Sequence, residues 1–266
     1  MLPHHIPVTA LYGNGQRLAN PFIIHDGFLM SIKSLFSSNV LTVLMNKFEE
    51  DLSKIIALIG DRYGKEVVNK LDGMYRKLCK LYEANMVKIN HSVMEIVCAA
   101  DLVVKGYEVD VEHRLNDILT CDVYGVKGDG NIIIEIETGF VPPEHALDPN
   151  TYLLARIASK IARYSSFAKK FGIGTPPHNI VQIPYIFLKP PRDRTEEEVL
   201  HIKRICDIYY TKPPISIEEI LNARLYMIYV INVDEATVSE LSPQEYYENI
   251  KQLVKITNVQ FFVPNA

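Results

Sequence analysis

The chain has 266 residues, 48% of them hydrophobic and 23% charged, with a formal net charge of −4. This is the composition of an ordinary soluble globular protein with one large domain, or a core with a smaller appendage, and it excludes a disordered or fibrous chain. The acidic balance excludes a domain-wide basic field, so any contact with nucleic acid must come from a local basic face.

In chain order, the start to about Asn20 reads as irregular, or as a small hairpin around "YGNGQ", where Gly13 and Gly15 permit positive φ. From Phe28 to about Glu83 the pattern is helical. Leu52, Ile55, Ile56 and Ile59 form one stripe, Val67, Leu71, Tyr75, Leu78 and Tyr82 another, and Gly60 and Gly64 punctuate them. A further helix is predicted from about Val87 to Val104, its stripe Val93, Ile96, Val97, Ala100 and Val104 turned to a sheet, with Gly106 as its stop. The period then changes to two. "GYEVDVEHRL" and "DILTCDVYGV" read as strands, "KGDGN" as a tight turn and "NIIIEIETGF" as the return strand. After a Pro-rich loop come a long helix, "TYLLARIASKIARYSSFAKKFG", with Gly172 as its C-cap, and a strand, "NIVQIPYIFL". Helix ("TEEEVLHIKRICDIYY"), strand ("ARLYMIYVINV"), helix ("SPQEYYENIKQLVKI") and strand ("NVQFFV") complete the chain. The expected fold is therefore α/β, with a helical N-terminal region (1–86), an α-β-β-β-α-β core (87–191) and an αβαβ extension of the same mixed sheet (192–266). Cys79, Cys98, Cys121 and Cys206 form no CxxC pair, which excludes a ribbon-type zinc site and fits reduced cytoplasmic thiols. The start of the chain carries no signal-peptide pattern, and the Phe28–Met45 stretch is too interrupted by polar residues for a membrane span.

The return strand carries a contradiction. Four apolar or branched positions suit a strand buried on both faces, yet Glu135 and Glu137 lie two apart and point to the same side. Pairing through the "KGDGN" turn brings Asp122 beside Glu135, and Glu95 sits on the helix expected to pack on this sheet. Like charges in one locale are costly unless a cation or proton lies between them, and oxygen ligands suit magnesium or manganese. On the following helix, Arg156, Lys160 and Arg163 recur at i, i+4 and i+7 and present a basic edge. No HxH or HExxH spacing, P-loop or Gly-x-Ser-x-Gly elbow is present.

With Glu95 on the first helix, Asp122 on the second strand and Glu135-Ile136-Glu137 on the third, residues Val87 to Leu188 resemble the PD-(D/E)xK nuclease superfamily, with its restriction-endonuclease-like fold. Cys121 stands where the motif has Pro, and Glu137 where it has Lys. The resemblance implies Mg2+ or Mn2+ held by Glu95, Asp122, Glu135 and the Ile136 carbonyl. It implies Glu137 and Lys160 as catalytic groups, a phosphate grip by Arg156, Lys160 and Arg163, and DNA as the polymer cut, with a homodimer allowed. The alternative is a catalytically inactive nuclease-like fold kept as a nucleic-acid-binding or protein-assembly module, which the missing Lys and the negative charge favour.

Overall fold

The computed structural model describes residues 47–257, all within one compact unit, Asn46–Ala266. The expectations for the first 46 residues, and for the final strand "NVQFFV", lie outside the described residues.

Helices α1 (Lys47–Tyr63) and α2 (Lys65–Glu83) are separated at Gly64, whose φ of 87° gives the turn a left-handed residue. Phe48, Leu52 and Ile59 of α1 and Val67, Leu71, Met74 and Leu78 of α2 are buried, while Tyr82 is half out and stacks on Phe48 at 4.1 Å. Helix α3 (Ile89–Val104) is buried on nearly every side, because it lies between these helices and the sheet. It stops at Gly106, where the Tyr107 and Gly106 amides donate to the Leu102 and Val103 carbonyls.

Strands β1 (Glu108–Arg114), β2 (Thr120–Lys127) and β3 (Gly130–Ile136) form an antiparallel meander. Helix α4 (Pro149–Tyr164) then crosses to β4 (Lys170–Thr175), parallel to β3. After α5 (Glu196–Tyr209) and a short α6 (Ile217–Asn222), β5 (Met227–Asn232) adds parallel to β4 and β6 (Thr237–Leu241) antiparallel to β5. Helix α7 (Pro243–Thr257) closes the described chain. The result is an α/β fold around one mixed six-stranded sheet in the order β1-β2-β3-β4-β5-β6. The two faces have separate cores. Ile132, Ile134 and Ile136 of β3 pack with α3, whereas Ile133 packs with Ile157 and Ile161 of α4.

Three expectations are corrected. The fourth strand is "KFGIGT", not "NIVQIPYIFL", which runs irregularly into a short 3-10 turn at Tyr185–Leu188. Pro184 would interrupt a ladder there. Accordingly α4 ends at Tyr164, and Gly172 is a strand residue rather than a helix cap. The glycines of β4 are there for space: a Cβ on Gly172 would come within 2.6 Å of the Tyr229 ring, and one on Gly174 within 2.7 Å of Ile136. Neither β6 nor α6 was anticipated, although α6 has a complete Ser216/Glu219 capping box.

The irregular stretch is secured by Arg194, which is only 8% exposed. Its guanidinium donates to the carbonyls of Ile186, Lys189, Ile220 and Leu221 at 2.8–3.0 Å. Gly172→Ala should lower stability by about 1–3 kcal/mol through overpacking against Tyr229 and the Met227 carbonyl; urea unfolding monitored by circular dichroism measures it, and an unchanged midpoint would contradict the packing described.

Candidate functional site

The β2–β3 ladder runs from Lys127↔Gly130 to Val123↔Ile134 and stops there. Beyond it, side chains replace backbone partners. The Asp122 amide donates to Glu135 Oε1 at 3.1 Å, and the Ile136 amide donates to Asp122 Oδ2 at 2.5 Å. On its other side β3 keeps its partner, with the Glu137 amide donating to the Gly174 carbonyl at 2.7 Å. Opposite Asp122, between the Val111↔Val123 and His113↔Cys121 pairs, Glu112 adopts a φ of 48°, a left-handed conformation unfavourable for a residue with a Cβ. Cys121 packs in the α4-side core and Val123 in the α3-side core, so the usual alternation of faces breaks at Asp122. The break brings the Asp122 carboxylate to the end of β3.

Helix α4 delivers two cations, one turn apart. Lys160 Nζ donates to the Ile136 carbonyl at 2.5 Å and lies 3.4 Å from Glu135 Oε2 and 3.7 Å from Asp122 Oδ2. Asp122 and Glu135 therefore do share one cation, and here it is an ammonium. Burial works against the charge on Lys160, but Asp122, Glu135 and Glu137 outweigh it and the pKa rises. Arg156 Nε donates to Glu137 Oε2 at 2.6 Å and its NH1 to the Tyr152 hydroxyl at 3.2 Å. The other Glu137 oxygen accepts from the Gly139 amide at 3.0 Å. Both carboxylate oxygens of Glu137 are thus engaged.

Helix α3 approaches from the opposite face with Glu95. This side chain is wholly buried, and among the described residues neither carboxylate oxygen has a hydrogen-bond partner. Ligand atoms of His91, Glu95 and Asp122 lie within 4.8 Å of one another. Burial, and then the charge of Asp122, hold the Glu95 carboxyl well above the ordinary carboxylate range. Burial pushes the His91 pKa down, leaving a neutral imidazole that can act as a ligand. Glu135 is pushed up to about 8 and Glu112 to about 7, each by burial first and then by Asp122.

The geometry gathers Glu95, Asp122, Glu135, the Ile136 carbonyl, Glu137, Arg156 and Lys160 around the end of β3. Arg163 faces away: its NH2 donates to the Pro213 carbonyl at 2.6 Å and its guanidinium lies over Tyr210. His91 belongs to no zinc-type histidine spacing and is not among the residues expected from the sequence. The available signal was its i, i+4 spacing from Glu95, which puts both on one helix face. The orphaned carboxylate of Glu95 beside a neutral imidazole and a second acid has the donor chemistry of a divalent-cation site.

No known protein family and no curated protein matches the chain. Among solved structures it is similar over 58% of its length to a chain of the CdiA-CT/CdiI toxin and immunity complex from Burkholderia pseudomallei, of which it covers 86%. At 15% identity and a TM-score of 0.23, that likeness carries no argument about fold or chemistry. Among the described residues no helix is long and apolar enough to cross a membrane.

The raised carboxyls make stability depend on pH. Glu95 and Glu135 bind protons in the folded, metal-free protein at pH values where the unfolded chain has lost them, so their contribution to stability falls as pH rises from about 4.5 to about 8, against the smaller opposite contribution of His91 below its ordinary pKa. Glu135→Gln, an isostere of the protonated form, should flatten that fall and raise the unfolding temperature at pH 8. Each kcal/mol of relief reads as about 2–4 °C in a chain of this size. Thermal scans across this range in EDTA provide the check, and a stability that rises towards pH 8 would refute the assignment.

Proposed function

We propose that this protein is a metal-dependent nuclease that hydrolyses DNA phosphodiester bonds. The observation that carries the reading is Glu95, a wholly buried carboxylate with both oxygens unpartnered among the described residues, facing His91 and Asp122. An isolated buried carboxylate costs several kcal/mol unless it is neutralised or bound to a cation. His91, Glu95 and Asp122 would hold Mg2+ or Mn2+, with Glu135 and the Ile136 carbonyl alongside, and the imidazole nitrogen favours Mn2+ of the two. When bound, such a cation offsets phosphate charge and makes a coordinated water more acidic.

The protein's own side chains carry the rest. Lys160 brings from α4 the positive charge that the motif lysine would bring from β3, and it would stabilise negative charge developing on the phosphate. Among the described residues, Arg156 keeps N–H groups free after meeting Glu137 and Tyr152, enough to grip a phosphate oxygen. Glu137, which accepts from the Gly139 amide and from Arg156, would act chiefly by fixing Arg156. DNA as the polymer rests on the superfamily resemblance.

A second reading has one observation in its favour. Lys160 already bonds the Ile136 carbonyl and bridges Asp122 and Glu135, which is what a non-catalytic nucleic-acid-binding or assembly module would need in place of a metal. Plasmid nicking with Mg2+ or Mn2+, run beside thermal unfolding with and without metal, separates the two. The parent chain should nick, and metal should raise its unfolding temperature. Lys160→Met should lose about 10²–10⁴ in rate while keeping the metal-dependent shift, and Asp122→Asn should lose both. Glu137→Gln should lose less than Lys160→Met. No cleavage of duplex, single-stranded or branched DNA, together with no metal-dependent shift, hands the case to the second reading.

A further inference from the structure

The N-terminal ends of β4 and β5 border a cleft of about 1040 Å3 that belongs to no part of the site above. The register separates them: Lys170 pairs with Ile132, four residues before Ile136 on the parallel strand, which is roughly 13 Å at the strand rise. Lys169, Lys189, Arg192, Arg194 and Arg224 line the cleft, and among the described residues no carboxylate does. In a chain of net charge −4 this is a concentrated patch of the opposite sign.

Its charges are only partly answered. Lys189 pairs with Glu198, and Arg192 lies 3.7 Å from Asp193. Lys169 and Arg194 direct their hydrogen bonds to backbone carbonyls, which neutralises no charge. Among the described residues, the Arg224 guanidinium has no carboxylate partner. Burial and the neighbouring charge of Arg224 push Arg194 down to about 10, so it stays charged at neutral pH while repelled by Arg224. An anion entering the cleft would relieve that repulsion. At the rim Tyr226 is 47% exposed, with the Lys170 ammonium 4.7 Å from its ring centroid.

We infer that this cleft binds a segment of single-stranded nucleic acid at a distance from the catalytic site, its phosphates against Lys169, Arg192 and Arg224 and a base against Tyr226. Unanswered cations beside an exposed ring match what single strands require, a charged groove and a stacking surface. The volume exceeds that of most small-ligand sites, which suits a short run of single strand and not a duplex. The inference rests on the nucleic-acid reading above, but its test needs no cleavage.

The test is fluorescence anisotropy of a fluorescein-labelled ten-residue oligothymidylate with the full chain in EDTA, over a salt series. The triple variant Lys169→Gln/Arg192→Gln/Arg224→Gln should bind at least about tenfold more weakly at 100 mM salt, with a log–log salt slope shallower by about 2, from three phosphates at ~0.7 each. Tyr226→Ala should weaken binding about tenfold and leave the slope unchanged. All four side chains are exposed, so unfolding temperatures should match the parent. A triple variant with the parent's affinity and slope overturns the inference. So does displacement of the oligonucleotide by an equal concentration of inorganic phosphate, which marks a small-anion site, or equally tight binding of polyglutamate, which marks an acidic protein partner. A parent chain that binds through the cleft but cuts no DNA leaves this inference standing and removes the nuclease reading.

Discussion

The backbone groups that β2 and β3 abandon beyond Val123↔Ile134 must be satisfied by something, since buried amides without partners are rarely tolerated. Asp122 and Glu135 meet that need, each accepting an amide from the other strand. That solution imposes a second requirement, because two carboxylates now stand together with Glu137 close by. Positive charge has to be brought in, and α4 brings it at positions 156 and 160, one helical turn apart. The docking of α4 on the sheet and the parting of the strands are thus two aspects of one electrostatic arrangement. The apolar contacts of Ile157 and Ile161 with Ile133 supply the packing energy that holds it.

Asp122 belongs to both halves of the site. One of its oxygens faces Lys160 from α4, and its carboxylate also approaches His91 and Glu95 from α3. Charge on α4 and an orphaned acid on α3 are therefore coupled through a single side chain, and a cation added on the α3 side would act on Lys160 without touching it. The lowered pKa of His91 and the raised pKa of Glu95 have one shared first cause, burial.

Much of this arrangement was legible in the sequence. The change from helical to alternating period at Gly106, the "KGDGN" turn and the Ile132–Ile134 run mark β1 to β3 unambiguously, and acids within such a run announce a site. The i, i+4 spacing of Arg156 and Lys160 was equally readable. What escaped depends on contacts distant in the chain. β4 was hidden because Gly172 and Gly174 lower its strand propensity, and only the approach of Tyr229 and Ile136 explains them. The i, i+4 spacing of His91 and Glu95 gives a local sign of a shared helix face, but nothing local marks their approach to Asp122, thirty-one positions after His91. Arg163 continues the basic stripe in sequence yet turns to Pro213, since the stripe curves away from the end of β3.

The left-handed Glu112 has a further consequence at the margin of the sheet. Among the described residues β1 is an edge strand, and an open edge invites another chain to add a strand to it. Glu112 divides that edge into Glu108–Val111 and His113–Arg114, neither long enough to template a stable pairing. Glu108, Asp110 and Arg114 place charge along the same rim, and Lys77 of α2 bonds Asp110 across it. The distortion that turns Asp122 towards the end of β3 thus also shortens the surface that the β1 edge offers to an added strand.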